Sequence, residues 1–354
     1  MNRKRSQIES NRKRQKLSTT QLEDLPAEVL IKVLNFLELP DLNRVGQVSK
    51  RLNSIRLVES CWQKTILGSN TRLEKTTVSI QLVKKILNRG CKSLCLKRCK
   101  LTEGSYFHSK ADEKLSSSQL INLDMYQCEI PNGFLETLLS SSHSLKTFSL
   151  MDHDINRFFY PYLLPLFGTF YSQNGQTLQT LNLAFTQVVS LEHIELIVKN
   201  CTRLKEVDFT DCSLSYEELH LLVNGITKNI ERIGLALCGA GPNGLDEYIK
   251  ILVSRCNKIK CLNLAKSRSI TNNSLTSIIE NLKNTLEELD ITWCCKITDT
   301  KLLEMRSMPK LKVLNYFKAW DPNNYEDLKK NLPQLTSNNP KEKWNHNFPF
   351  HFKY

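Results

Sequence analysis

The sequence predicts an α/β solenoid, a horseshoe whose short parallel strands line the concave face, preceded by a small three-helix module. Two observations predict this fold class. An apolar pattern of the form Leu-x-x-Leu-x-Leu recurs from residue 91 onward, and three short amphipathic helical patterns follow one another in residues 22–67. The strand-sized repeats predict stacking units, and the helical patterns predict a separate module in front of them.

The N-terminal segment is strongly basic. The chain has 354 residues and a formal net charge of +13, and its first twenty residues hold seven Lys or Arg against one acidic residue. We expect residues 1–20 to form a disordered basic arm, in which Arg12, Lys13, Arg14 and Lys16 suit the acidic pockets of nuclear import receptors; a solvated arm without this role is the alternative. The expected location is therefore the nucleus, with the cytoplasm as a second location.

The rest of the chain carries only a mild positive charge. This argues against the long cationic groove of a nucleic-acid binder. No stretch approaches the roughly eighteen apolar residues that a membrane helix needs. We expect neither nucleic acid nor a membrane among its partners.

The helical module begins at Leu25-Pro26, where the fixed φ of Pro26 suits the first turn of a helix. One apolar stripe follows at helical spacing: Val29, Leu30, Val33, Leu34 and Leu37. A second helix starts near Pro40-Asp41, a third runs through Ser49–Ile55, and Trp62 and Ile66 close the module. About 45 residues cannot enclose a deep core, so a partner is expected to cover part of the apolar surface.

The order of these residues closely resembles the F-box. The matching segments are Leu25-Pro26-Ala27-Glu28-Val29-Leu30, Leu37-Glu38-Leu39-Pro40-Asp41-Leu42, Val48-Ser49-Lys50-Arg51-Leu52 and Trp62. The resemblance implies binding to a Skp-type adaptor, which bridges to the cullin and RING subunits of a ubiquitin ligase. It places Leu25, Pro26, Val29, Leu30 and Trp62 at or near the adaptor interface. Leu52 departs from the family pattern, since many members have tryptophan there.

The apolar repeat recurs about nine times. Its copies are Cys91/Leu94/Leu96, Leu120/Leu123/Met125, Leu145/Phe148/Leu150, Leu178/Leu181/Leu183, Leu204/Val207/Phe209, Ile230/Ile233/Leu235, Ile259/Leu262/Leu264, Leu286/Leu289/Ile291 and Leu311/Leu314/Tyr316. The spacing of 25 to 33 residues is typical of leucine-rich repeats, with one strand and one returning helix per copy. We expect repeats over 91–335, a helical linker over 68–90 and a C-terminal tail over 336–354.

This combination is similar to the F-box/leucine-rich-repeat family. The last repeats most resemble the S-phase kinase-associated type of F-box protein, in Leu286-Glu-Glu-Leu-Asp-Ile-Thr-Trp-Cys, Leu302-Leu303-Glu304, Met308–Leu314 and Leu328–Leu335. The resemblance implies degradation of phosphorylated cell-cycle regulators, with a Cks-type accessory protein as a further partner.

The cysteines and histidines do not predict a catalytic or metal site. Cys99, Cys128, Cys212, Cys238 and Cys294 all lie eight positions after the start of their repeat, which suits a column of small buried side chains. The spacing of Cys91, Cys95 and Cys99 could suggest a metal site, but Cys95 is predicted on the opposite face of its strand from Leu94 and Leu96, so the three thiols would not converge. No nucleophile motif or phosphate loop accompanies the histidines. We expect a non-enzymatic protein without metal or cofactor.

Strand positions that point away from the helices are the expected contacts with a protein substrate. Over nine repeats they carry two basic and five acidic residues, which predicts an acidic concave face. The candidate substrate contacts are Tyr126, Glu206, Asp208, Arg232, Glu288 and Asp290. The aromatic segment 158–167 is expected to be a core helix rather than a binding patch. The aromatic and basic tail could fold back onto the acidic face, with a frayed terminus as the alternative.

The sequence therefore predicts the substrate-recognition subunit of an SCF-type ligase, which would bring substrate close to the ubiquitin-transfer machinery without an active site of its own. The alternative is a nuclear interaction scaffold that binds the adaptor without promoting ubiquitin transfer.

Overall fold

The computed structural model describes residues 22–37, 39–68, 75–103, 115, 119–151, 160–186, 189–238, 244–316, 330–332 and 335–336. The chain divides into two compact units, residues 1–62 and 63–354. The predicted basic arm with Arg12, Lys13, Arg14 and Lys16, and the tail after residue 336, lie outside the described residues.

The first unit is helical. Its helices are α1 (Ala27–Leu34), α2 (Leu39–Val48) and α3 (Lys50–Arg56), with 3-10 turns at Leu22–Asp24 and Glu59–Trp62. Pro26 directly precedes α1, and the hydroxyl of Ser49 caps α3 by accepting the Leu52 N–H at 3.2 Å. The core is formed by the buried side chains of Leu30, Leu34, Leu42, Leu52, Ile55 and Trp62. Leu52 therefore fills a core position in spite of its departure from the family pattern.

The second unit is built on parallel strands. They are β1 (Lys64–Gly68), β2 (Thr76–Ser79), β3 (Ser93–Lys97), β4 (Cys99–Thr102), β5 (Asn122–Tyr126), β6 (Thr147–Met151), β7 (Thr180–Asn182), β8 (Glu206–Asp208), β9 (Arg232–Gly234), β10 (Cys261–Asn263), β11 (Glu288–Asp290), β12 (Val313–Asn315) and β13 (Leu335–Thr336). Eleven described strands form one sheet in chain order, while β2 and β4 pair separately.

Helices connect the strands on one side of this sheet. They are α4 (Ile80–Asn88), α5 (Asn132–Ser140), α6 (Tyr160–Asn174), α7 (Leu191–Asn200), α8 (Tyr216–Gly225), α9 (Asp246–Arg255), α10 (Asn272–Leu282) and α11 (Asp299–Leu303). The repeated apolar positions of the strands are buried. The other side of the sheet is the concave face. No helix in the described residues is long and apolar enough to cross a bilayer.

The sheet starts earlier than the repeat pattern. Residues 64–68 pair in parallel with β3, although they lack the Leu-x-x-Leu-x-Leu signature. The compact units accordingly divide after Trp62, whereas the sequence predicted a module reaching residue 67. The predicted linker 68–90 contains α4, and its strand β2 pairs with β4 inside the second unit.

A sharp turn follows the strands at a fixed position. Seven non-glycine residues there have a left-handed backbone with φ between 50° and 65°: Arg98, Gln127, Phe185, Asp211, Leu237, Lys266 and Trp293. Six of these residues directly precede a cysteine or threonine that donates a hydrogen bond back to the previous strand or the residue after it, as in Cys212, whose thiol donates to the Leu183 carbonyl at 2.9 Å. Cys99, Cys128, Cys238 and Cys294 make the same bond at 3.2–3.3 Å, and Thr186 makes it at 2.6 Å. The thiol column predicted from spacing thus bonds each repeat to the one before it.

Candidate protein-binding sites

The N-terminal helical module carries an uncovered apolar surface. Val29, Val33 and Phe36 follow one another along one side of α1 and the turn after it, and the Phe36 side chain is 89% exposed. Val48, at the end of α2, is 70% exposed, and Leu22 is exposed as well. Exposed apolar side chains at this density mark an interaction surface, because such groups would otherwise lie in the core. The sequence analysis named Val29 here but missed Phe36, Val48 and Leu22.

Two of the predicted adaptor contacts lie inside the module. Leu30 and Trp62 are buried, and the Trp62 indole N–H donates to the Arg56 carbonyl at 2.7 Å. Pro26 is exposed, while Leu25 is half-buried and its carbonyl accepts a bond from Arg51 Nη2 at 2.8 Å. Of the predicted adaptor contacts, Val29 and Pro26 are therefore exposed, whereas Leu30 and Trp62 are core residues.

The middle row of polar residues on the concave face is buried, contrary to expectation. Asp124, Asn182, Asp208, Asp290 and Asn315 are all less than 9% exposed. Three of the five acidic residues counted on this face are thus inaccessible. The prediction of an acidic concave surface was wrong. The accessible charged residues at these positions are two basic, Lys97 and Arg232, and two acidic, Glu206 and Glu288, so their net charge is zero.

Asp208 and Asp290 have a structural role. The Asp208 carboxylate accepts the Thr210 N–H at 2.9 Å, and the Asp290 carboxylate accepts the Thr292 N–H at 2.9 Å. Asn182 and Asn263 make the equivalent bond at 2.9 and 3.0 Å. Side chains of this type that bond two residues ahead end strands and set up turns. These two predicted substrate contacts are therefore strand terminators.

Gly234 makes room for Asp208. A Cβ atom at this position of β9 would lie 2.2 Å from Asp208 Oδ1, closer than two such atoms can approach. The carboxylate consequently leans across the neighbouring strand. Burial raises the pKa of Asp208 to about 6, although hydrogen bonding from Thr210 partly offsets this rise. Burial also raises the pKa of Asp290.

The remaining predicted substrate contacts share one row of the concave face. The register aligns Glu206, Arg232, Cys261 and Glu288 on the consecutive strands β8 to β11. Arg232 Nη2 lies 4.0 Å from Glu288 Oε1, and the Cys261 thiol donates to Glu288 Oε2 at 3.2 Å. All three charged side chains are half-buried. Burial raises the pKa of Glu206, and nearby Arg232 opposes that shift.

Tyr126 lies apart from that row. It is half-buried at the end of β5, three strands away from β8. The structure therefore brings together Glu206, Arg232 and Glu288 and leaves Tyr126 at a distance of about 14 Å or more along the sheet.

The aromatic insert belongs to the core. In α6, Phe167, Phe170 and Tyr171 are fully buried, and the Tyr171 hydroxyl lies 2.8 Å from Nε2 of the buried His193. Phe167, at the end of the predicted segment, is thus a core residue, while the side chains of residues 158–163 lie outside the described part of the chain. Among the described residues, no three His, Cys, Asp or Glu side chains are arranged to hold a metal ion.

Comparison with known proteins identifies both units. A family model described as the SKP2 LRR domain matches residues 81–341, and one described as F-box-like matches residues 22–67. A chain in the yeast complex of Rad7 and Elc1 is 14% identical with a TM-score of 0.51, covering 88% of this chain and 87% of that chain. This likeness supports the fold alone.

Two further solved structures are more distant. The leucine-rich repeat-containing protein LegL7 from Legionella pneumophila is 13% identical with a TM-score of 0.44, covering 73% of this chain and 90% of that one. The tropomodulin C-terminal domain from Caenorhabditis elegans is 12% identical with a TM-score of 0.33, covering 42% and 92%.

The predicted fold class and family resemblance are confirmed by the two family models together with the parallel sheet. The chain belongs to the F-box/leucine-rich-repeat family, with repeats of the SKP2 type.

Proposed function

We propose that this protein is the non-catalytic substrate-recognition subunit of an SCF-type cullin-RING ubiquitin ligase. Its F-box module binds a Skp-type adaptor, which links it to the cullin and RING subunits, and its repeats bind the protein to be degraded. The observation that carries this function is the uncovered apolar surface of Val29, Val33, Phe36 and Val48 on the F-box module. A receptor of this kind acts by raising the local concentration of substrate near the ubiquitin-transfer machinery.

Affinity purification of the full-length chain from proteasome-inhibited cells tests the function. We expect the adaptor, a cullin and a RING subunit to co-purify with the wild-type protein, and all three to be lost together when Val33 and Phe36 are replaced. Recovery of the adaptor without cullin and RING would instead favour an interaction scaffold that binds the adaptor without promoting ubiquitin transfer.

The proposed substrates are phosphorylated cell-cycle regulators, bound with the help of a Cks-type accessory protein. This part rests on the family resemblance. The proposed location is the nucleus, because Arg12, Lys13, Arg14 and Lys16 form a short basic run. Replacing these four residues by alanine should shift a fluorescent fusion from the nucleus to the cytoplasm, and unchanged nuclear accumulation would contradict the import role.

We expect the charged row of the concave face to contribute to substrate binding. The triple variant Glu206→Lys, Arg232→Glu and Glu288→Lys should weaken substrate capture by roughly threefold to tenfold, because partly exposed ion pairs contribute only about 0.2–1 kcal/mol each. The measurement is the quantitative recovery of co-purified proteins under proteasome inhibition, with adaptor recovery as the internal reference.

A matched variant makes the same charge changes on exposed helix positions: Glu217→Lys, Lys250→Glu and Glu247→Lys on α8 and α9. It should retain the wild-type set of captured proteins. If the concave-face variant also captures the same proteins as the wild type, the substrate site lies elsewhere.

A further inference from the structure

The turns that lead from helix to strand form a basic edge in the second half of the repeats. Five successive turns, which precede β8 to β12, hold eight Lys or Arg and two Glu, and Lys199 at the end of α7 adds a ninth cation to the edge. Most of the net positive charge of the second unit therefore lies on this edge. Backbone bonds such as Glu231 N to Lys205 O at 2.7 Å and Lys260 N to Glu231 O at 2.7 Å stack the turns directly on one another.

The edge consists of two rows. The inner row alternates in sign and holds Lys205, Glu231, Lys260, Glu287 and Lys312. Its charges are largely satisfied internally, since Lys260 Nζ lies 2.6 Å from Glu231 Oε2 and Lys312 Nζ lies 2.5 Å from Glu287 Oε2. The inner row is thus a cross-repeat ladder of ion pairs.

The outer row is entirely cationic. It holds Lys199, Arg203, Lys228, Lys258, Lys283 and Lys310, all exposed. Within the described part of the chain, none of these six side chains lies within ion-pairing distance of a carboxylate. Lys258 Nζ instead donates to Asn229 Oδ1 of the preceding turn at 2.7 Å, which holds it within the row.

Stabilisation of helix ends accounts for only part of this arrangement. The helices α7 to α10 end at this edge, and cations near a helix C-terminus are favourable by about 0.3–1 kcal/mol. One cation per helix end would provide that. The turns before β8, β10 and β12 each carry two, one in the inner row and one in the outer row.

The composition of the edge favours a protein partner over a nucleic acid. Eight of its nine cations are lysines, which act as point charges and lack the planar fork with which Arg binds phosphate bidentately. The five turns contain no aromatic residue on which bases could stack. The row crosses four strand steps of about 4.8 Å, or roughly 19 Å, the length of about six extended residues.

We propose that the outer row binds an acidic segment, rich in Asp or Glu, of a protein partner. The segment lies across the turns of five successive repeats and pairs with Arg203, Lys228, Lys258, Lys283 and Lys310. This inference goes beyond the proposed function, because it does not depend on the F-box module or on the concave face.

Fluorescence anisotropy with the purified full-length chain and a labelled oligo-glutamate peptide tests the inference. Replacing Arg203, Lys228, Lys258, Lys283 and Lys310 by serine should weaken binding at least about tenfold and flatten its dependence on salt. The control variant removes the same charge elsewhere on the unit, at Lys85, Lys100, Lys250, Arg268 and Lys296, and should stay within about twofold of wild type. Both variants keep the basic N-terminal arm, so its contribution is common to them.

Equal loss in both variants, or no loss in the outer-row variant, would overturn the inference. So would tighter binding of a single-stranded or duplex oligonucleotide that depends on the same five residues. Should the five-fold variant fail to fold, Lys258→Ser with Lys310→Ser is expected to weaken peptide binding about threefold, and an unchanged affinity there would count against the outer row. Adaptor binding by the wild-type chain, measured in parallel, tests the proposed function alone.

Discussion

Replacing both Val33 and Phe36 by alanine is expected to lower the affinity for a Skp-type adaptor by at least about a hundredfold while the module stays folded. Both side chains are exposed, Val33 on α1 and Phe36 in the turn after it, so their removal leaves no cavity in the core. Apolar anchors at the centre of an interface each contribute about 2 kcal/mol or more on truncation. Calorimetric titration with purified adaptor gives the affinity, and circular dichroism checks the fold.

A matched control truncates exposed apolar side chains of the second unit. Leu82→Ala with Tyr216→Ala removes one aliphatic and one aromatic exposed group and should leave adaptor affinity unchanged. Leu30→Ala provides the opposite contrast, because it removes a fully buried side chain and should destabilise the module by about 2–5 kcal/mol. An affinity within threefold of wild type for the Val33 and Phe36 variant would exclude this surface as the adaptor site.

Asp208→Asn is expected to raise the free energy of unfolding by about 1–3 kcal/mol at neutral pH. Burial raises the pKa of this carboxyl to about 6 from its ordinary value of 3.8, so the folded state resists its ionisation. Asparagine carries no charge and makes the required bond to the second N–H ahead at Asn182 and Asn263. The 6% exposure of Asp208 makes solvent screening a minor correction.

The sign of the pH dependence follows from the raised pKa. Between about pH 4 and 6 the folded chain binds the proton that the unfolded chain has released, so wild-type stability falls as the pH rises through this window. The advantage of Asp208→Asn should therefore be complete above pH 6 and absent near pH 3.5. Urea unfolding at both pH values measures it.

Asp290→Asn removes the same charge from the equivalent position and should give a smaller gain. The reason is that Asp290 Oδ2 also accepts a hydrogen bond from Asn315 Nδ2 at 3.1 Å. In the asparagine variant an NH2 group can take the place of this oxygen, and two donors would then face each other. A pH-independent gain for Asp208→Asn would show that the buried charge is not its cause.

The sequence was sufficient for the strands but not for the depth of their side chains. The spacing of the apolar repeats located β3 and β5 to β12, because every copy must bury the same positions. It missed β1, whose residues pair with β3 without the repeated pattern. It also could not distinguish Glu206 from Asp208, which lie on the same face of one strand, since burial there depends on the packing around each position.

The F-box module shows a similar limit. The sequence pattern groups Val29, Leu30, Val33 and Leu34 into one stripe, but neighbouring residues on a helix are rotated by about 100°. Leu30 and Leu34 consequently reach the core, while Val29 and Val33 form a separate exposed line that ends at Phe36. Phe36 was missed because it lies beyond the end of α1. Periodicity finds the apolar residues but not which of two adjacent faces a partner covers.

The column of buried cysteines makes the protein a natural reporter of its own unfolding. Eleven of the twelve cysteines are buried and only Cys295 is exposed, so an alkylating reagent should modify one thiol readily in the native state. The thiols of Cys99, Cys128, Cys212, Cys238 and Cys294 become reactive only when their repeat separates from the one before it. Mass spectrometry of the order in which they are labelled would therefore map, repeat by repeat, where the solenoid first opens.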